Sequence, residues 1–241
     1  MSGASRIVLV RHGQTDFNLE RRFQGVIDHP LNDHGREQAR NAGRVLASRV
    51  LSPSAQVGVN VASVSAGRVF LVCSPLSRAF ETAEIIVEEF RAAGAEVVGP
   101  NVDDRLIERA YGDFEGLTIP EALSRYEDEV EEWRQTGECV AAGIERSDLV
   151  GIRVRDAAIA AAEAADEGAT LVVVSHGSAV TRGLLTFIGL NPLEFDQMRG
   201  LDNCHWSELV RMGGGGSGAS GPVSWRLAAH NIGHREDVLG A

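Results

Sequence analysis

Three short apolar runs, at residues 7–10 (IVLV), 69–73 (VFLVC) and 171–174 (LVVV), constrain the fold more than any other feature of the chain. Each is continuous rather than alternating and rich in β-branched residues. That pattern belongs to strands of a parallel sheet covered on both faces. Each run leads at once into polar residues: Arg11-His12-Gly13, then Ser74-Pro75-Leu76-Ser77-Arg78, then Ser175-His176-Gly177. Ligands of open α/β sheets bind in the crevice beyond the carboxyl ends of the strands, so three such ends are expected to converge on one pocket.

Helical periodicity separates the runs. Asn32 is placed to cap a helix reaching about Arg49, with Ala39, Ala42, Leu46 and Val50 on one face. Ser77 or Pro75 starts a second, in which Ala79, Ala83 and Ile86 recur. Thr118-Ile119-Pro120-Glu121 has the form of a capping box with Pro in the first turn. It is expected to open one outward-lying helix containing the acidic residues 127–132. Ser147 is the expected cap of an Ala-rich helix ended by Gly168. A last helix runs from about Ser178 to Ile188, closed by Gly189 with Pro192 beyond. Residues 51–68 and the Gly-rich 213–221 (GGGGSGASG) read as loops. The latter joins two expected paired strands, 204–210 and 223–228, in which Trp206 and Trp225 are packing residues.

Composition narrows the chemistry. The chain of 241 residues has no lysine, so its 23 basic residues are all Arg. A Walker-type phosphate loop and a pyridoxal Schiff base both need Lys and are ruled out. Acidic residues number 34, a balance that argues against a duplex-DNA partner. A few arginines in a cleft still make a local anion site, and guanidinium grips phosphate through paired hydrogen bonds. Cys73, Cys139 and Cys204 are odd in number and form no C-x-x-C. With no signal-peptide pattern and no run long enough for a membrane span, the expected location is the cytoplasm, away from membranes.

Several motifs have bland readings that prevail. Gly213, Gly215 and Gly218 spell G-x-G-x-x-G, but no strand leads straight in and no helix follows. Cys73 and Arg78 span C-x₄-R, one residue short of a cysteine-phosphatase loop, so Cys73 reads as a small buried strand residue. His230 and His234 have Gly233 between them and read as surface histidines rather than metal ligands. Arg21 and Arg22 are candidates for a second anionic group, although adjacent arginines are usually solvated. Arg78 is more informative. A cation in a first helical turn opposes the helix dipole, so Arg78 and its helix N-terminus are suited to sharing one anion.

Four motifs in order, L-V-R-H-G-Q-T at the start, S-P-L-S-R-A-F-E-T-A after the second run, E-R-A-Y-G-D-F-E-G from Glu108 to Gly116, and S-H-G at Ser175, resemble those of the histidine phosphatase superfamily over nearly the whole chain. The resemblance implies a single α/β domain over residues 1–241. It would be a phosphoglycerate mutase-like three-layer sandwich, with a largely parallel central sheet, helices on both faces and a helical insertion near 118–147. It makes His12 the nucleophile that becomes phosphohistidine, Glu108 the proton donor, and Arg11, Arg78 and His176 the catalytic phosphate pocket. Asn18, Gln24, Gly25, Tyr111 and Gly177 are implied to contact phosphate or substrate. No metal or other cofactor is implied. The partner would be a small phosphorylated metabolite, with a homodimer expected by analogy.

The implied chemistry has its own requirements. A neutral His12 must have its second nitrogen held by an acceptor. A protonated His176 would add a donor, and Glu108 would have to begin protonated, helped by apolar burial or by the phosphate's negative charge. The stretch from Gly112 to Thr118 resembles the phosphatase branch more than the mutase branch, with Phe114 where Trp is usual. Ala142-Gly143-Ile144-Glu145-Arg146-Ser147 departs from the G-G-E-S of many phosphatases by placing Arg146 where a small hydroxyl is common. The chain is also similar to glucosyl-3-phosphoglycerate phosphatases. Expected activities are therefore a metal-independent phosphatase, a phosphoglycerate mutase, or an inactive phosphate-binding regulatory module.

Overall fold

The computed structural model describes residues 3–51, 68–194, 197–212 and 224–233. Its six strands are β1 (Arg6–Arg11), β2 (Arg68–Cys73), β3 (Glu96–Val102), β4 (Thr170–Ser175), β5 (Trp206–Met212) and β6 (Ser224–Ile232). They form one sheet in the order β3-β2-β4-β1-β5-β6. The first four are parallel, and β5 and β6 add an antiparallel edge. The three apolar runs are therefore adjacent, with β4 between β2 and β1. A short helix, α1 (Asp16–Leu19), follows β1.

Alternate side chains of these strands feed two cores. Val8, Val10, Leu71, Val172 and Val174 pack against α2 (Asp33–Leu51) and α3 (Ser77–Ala92) through Ala39, Ala42, Leu46, Ala83 and Ile86. Ile7, Leu9, Leu171 and Val173 pack on the opposite face against α6 (Ser147–Ala164) and α7 (Gly177–Phe187). Layers of helix, sheet and helix result, as expected for a doubly covered parallel sheet. β2 departs in degree: Phe70 and Val72 are only partly buried against the second core, which centres on β1 and β4.

Local signals account for most element ends. The Asn32 side chain accepts from the Gly35 amide at 2.8 Å and starts α2. Thr118 and Glu121 complete a capping box, but the helix they open, α4 (Ile119–Leu123), stops before the acidic run. That run forms a separate helix, α5 (Glu127–Thr136), so the single helix expected here is two. The break ends at Tyr126, the N-cap of α5, whose backbone is non-helical and whose ring packs beside Phe114. The α6 cap is corrected too: Arg146 is the N-cap, Ser147 is already helical, and its hydroxyl has no partner. α6 ends at Ala164 with Ala165 as its C-cap, and Gly168 serves the turn into β4 with φ +78°. Most of the loop at 51–68, the Gly-rich loop at 213–221 and His234 lie outside the described residues.

A third cluster of Phe114, Ala122, Val130, Cys139, Ala142 and Ile144 joins α4 and α5 to the segment after β3. Phe23, Tyr111 and Trp133 pack on it, and Phe23 and Tyr111 face a cavity at the strand ends. No helix among the described residues is long and apolar enough to cross a membrane.

Candidate active site

β1 ends at Arg11, and the next backbone amide, of His12, donates to the carbonyl of Ser175 at the end of β4 at 2.9 Å. This places the first and fourth motifs side by side. The Gly13 amide donates to Thr82 Oγ1 at 3.1 Å, tying the same turn to α3. Close approach of α2 completes the turn: a Cβ on Gly13 would lie 2.4 Å from the Gly35 carbonyl oxygen. Only a glycine fits against backbone at that distance.

His12 is buried, and its Nδ1 lies 2.7 Å from the Gly13 carbonyl. A carbonyl only accepts, so Nδ1 carries the hydrogen and Nε2 keeps its lone pair. Burial, followed by the fields of Arg78 and Arg11, holds the imidazole well below its ordinary pKa, against the opposing effect of the Gly13 bond. The neutral ring is thus the form present near neutral pH.

Arg78 is fully buried. Its Nη1 and Nη2 donate to the carbonyls of Ile27 and Gly25, both at 2.8 Å, and its Nε to His176 Nδ1 at 3.2 Å. Three of its five N–H groups are used and two remain. Arg11 donates from Nη1 to the Leu201 carbonyl at 2.6 Å, while its Nε is buried without a partner. Gly177 lies against this guanidinium, where a Cβ would be 3.3 Å from Nε. His12, Arg11, Arg78, Asn18, Gln24, Gly25, Glu108, Tyr111 and Gly177 all line one cavity of about 430 Å³.

His176 is the exception: it is buried beneath the cavity rather than lining it. Its Nε2 is 2.7 Å from Ser74 Oγ and its Nδ1 accepts from Arg78. Burial, then Arg78, pushes its pKa well below the ordinary value. A neutral ring with both nitrogens engaged offers no spare donor, unlike the protonated donor expected from sequence. Its contacts instead orient Arg78, and its ring meets that of His12 edge-on at 5.1 Å between centroids.

Asn18 and Gln24 present amides in matched fashion. Asn18 Oδ1 accepts from the Thr15 amide and from Asn203 Nδ2, both at 3.1 Å, and Gln24 Oε1 accepts from Thr15 Oγ1 at 2.9 Å. With the oxygens committed, the two NH₂ groups are the donors available to a ligand. Asn203 also donates to the His12 carbonyl at 3.0 Å. Sequence reasoning missed Asn203, for which there was no local signal. It also missed Thr82, which stands one helical turn after Arg78 within a quoted motif.

Glu108 is buried at the start of α7. Oε1 accepts from the amides of Ala179 and Arg109, both at 2.8 Å, and Oε2 accepts from the Ser178 amide at 3.2 Å. It is not a surface carboxylate paired to Arg105 or Arg109. Its carboxylate is held by backbone donors rather than by the apolar neighbours expected, and Oε2, with one long bond, is the less engaged oxygen. Arg22 also borders the cavity, but Glu20 and Glu121 bind it at 2.6 Å each. Arg146 turns away to pair with Asp148, so the expected intrusion of its charge does not occur. Cys73 is a buried strand residue whose thiol burial pushes up to about 12. Among the described residues no cluster of three or more His, Cys, Asp or Glu is arranged to hold a metal.

The family model for the histidine phosphatase superfamily (branch 1) matches residues 7–219. A glucosyl-3-phosphoglycerate phosphatase from Mycolicibacterium vanbaalenii is 30% identical over 234 residues, covering 94% of each chain. A 2,3-bisphosphoglycerate-dependent phosphoglycerate mutase from Azorhizobium caulinodans is 37% identical over 131 residues, 54% of this chain and 55% of its own. Among solved structures, a mycobacterial glucosyl-3-phosphoglycerate phosphatase in complex with VO3 superposes with a TM-score of 0.73 at 28% identity. The match covers 95% of this chain and 99% of that one.

Proposed function

The chain belongs to the histidine phosphatase superfamily, and from that premise we propose that it hydrolyses small phosphomonoesters through a phosphohistidine on His12. The observation that carries this reading is the neutral His12, its Nδ1–H tied to a backbone carbonyl, in a cavity shared with Arg11 and Arg78. Uncatalysed phosphate monoesters are exceedingly slow to hydrolyse, and catalysis of phosphoryl transfer rests on positioning and charge stabilisation. His12 Nε2 attacks phosphorus in line as the ester P–O bond breaks. The free N–H groups of Arg11 and Arg78, with the amides of Asn18 and Gln24, take the equatorial oxygens. His176 acts through Arg78 as a positioning residue. Glu108 delivers a proton from Oε2 to the leaving oxygen. It then takes one from the water that attacks the phosphohistidine, which regenerates Nε2 and releases phosphate.

Glucosyl-3-phosphoglycerate or a related phosphoglycerate or sugar phosphate is the substrate class favoured by the relatives' names and coverage. The relative named as a mutase supports a second reading, in which phosphate is moved rather than released. Incubation with 3-phosphoglycerate separates the two: free phosphate supports hydrolysis, and 2-phosphoglycerate supports transfer. The decisive assay is phosphate release from a metabolite panel in the presence of EDTA. Turnover is expected with wild type and lost in His12→Ala. Glu108→Gln should slow sugar phosphates far more than p-nitrophenyl phosphate, whose leaving group needs little protonation. Equal slowing of both would remove Glu108 from the acid role. A cytoplasmic homodimer remains part of the proposal by analogy alone.

A further inference from the structure

Glu108 is gripped at both of its ends, by different helices. α7 supplies the Ser178 and Ala179 amides to its carboxylate. α6 supplies Arg153 to its main chain. Nη2 of Arg153 donates to the Glu108 carbonyl at 3.0 Å, and Nη1 to the carbonyls of Ile107 and Arg105 at 2.6 and 2.8 Å. The other two N–H groups, on Nε and Nη2, form a fork on Glu145, at 2.8 Å to Oε1 and 2.9 Å to Oε2. A guanidinium has five N–H donors, and here each has an acceptor. Arg153 does not line the phosphate cavity and, unlike Arg11 and Arg78, keeps no donor for a ligand.

Glu145 carries the grip past Glu108. Its amide donates to the Ala110 carbonyl at 3.0 Å, and its Oε2 accepts from the Ala110 amide at 3.3 Å. One ion pair thus holds the chain on both sides of Glu108. The two helices are themselves closely seated: a Cβ on Gly183 of α7 would stand 2.6 Å from Cγ1 of Val154, the residue after Arg153 in α6. Main chain and carboxylate of Glu108 are therefore referred to one packed pair of helices.

We propose that Arg153, braced by Glu145, is a positioning residue for Glu108 that fixes where Oε2 meets the leaving oxygen. This rests on the phosphatase reading, in which Glu108 is the proton donor, and adds what holds the donor in place. Proton transfer needs hydrogen-bond reach, and a misplacement of about 1 Å can cost on the order of 100-fold. Lys cannot stand in for the fork, because an ammonium is a point charge with three donors.

Phenyl phosphate and p-nitrophenyl phosphate share a scaffold but not a leaving group, since phenolate needs a proton far more than nitrophenolate does. The readout is their ratio of kcat/KM, which reports the step that breaks the ester bond. Arg153→Lys should lower kcat/KM for phenyl phosphate by about 10-fold, part of what a general acid contributes, and for p-nitrophenyl phosphate by about 2-fold or less. Glu145→Gln should act in the same direction with smaller size. In a Glu108→Gln background, Arg153→Lys should cost phenyl phosphate nothing further, because the group it positions is gone. Equal loss on both esters, an unchanged ratio, or a full additional loss in the Glu108→Gln background overturns the assignment. Should Arg153→Lys fail to fold, Glu145→Gln is judged by the same outcomes. Selective slowing by Glu108→Gln alone removes the role of Arg153 and leaves the proton donor standing. Release of phosphate from neither ester by wild type overturns the phosphatase reading as well.

Discussion

At the scale of single residues, the two histidines are set apart by what their nitrogens touch. His12 keeps Nε2 open toward the cavity, whereas His176 has both nitrogens bonded beneath it. Burial lowers both pKa values, so the unfolded chain takes up protons that the folded one refuses. Stability is therefore expected to be full above about pH 6.5 and to fall as pH drops from there toward the folded values. Melting curves from pH 8 to 5 should show this, with a shallower acid slope in His12→Asn. An unchanged slope would mean that His12 is not held neutral. The sequence made His12, Arg11, Arg78 and Glu108 legible because each follows a strand or sits in a dense motif. Asn203 and the bond between Ser74 and His176 were silent, since hydrogen bonds reaching 191 and 102 residues along the chain leave no local trace.

Among elements, close approach of backbones sets the geometry. A Cβ on Gly35 would lie 2.1 Å from the Gln14 carbonyl oxygen, so the first turn of α2 is pressed against the loop that carries His12. Gly35→Ala is expected to push the two apart, costing about 1–3 kcal/mol by urea denaturation and lowering kcat with it. Wild-type stability in this variant would show that the contact is slack. The three central strands were legible at this scale because β-branched runs have few alternatives, whereas β3, with Gly99 and Pro100 inside it, was missed. The division between α4 and α5 was not legible, since Ser124, Arg125 and Tyr126 carry no breaker. α4 nonetheless ends at Leu123, and α5 starts only after Tyr126, whose ring packs beside Phe114.

For the molecule as a whole, α4 and α5 are joined to the sheet by more than apolar contact. Arg109, almost wholly buried, donates to the Glu145 carbonyl at 2.6 Å and pairs with Glu138. Glu138→Gln should leave that charge unbalanced and destabilise the fold by about 3–5 kcal/mol, read from chemical denaturation. A loss under 1 kcal/mol would show that water already shares the pair. The layered α/β architecture followed from hydrophobic pattern alone, but strand order did not. Nothing in residues 171–174 says that β4 lies between β1 and β2 rather than at an edge. That position has a consequence for biosynthesis. A nascent polypeptide halted before residue 170 already holds His12, Arg11 and Arg78, yet lacks the strand that hydrogen-bonds to each of their two carriers. On the proposed chemistry, fragments ending before residue 170 are therefore expected to be inert toward phosphate esters, because the strand that joins the two carriers is missing.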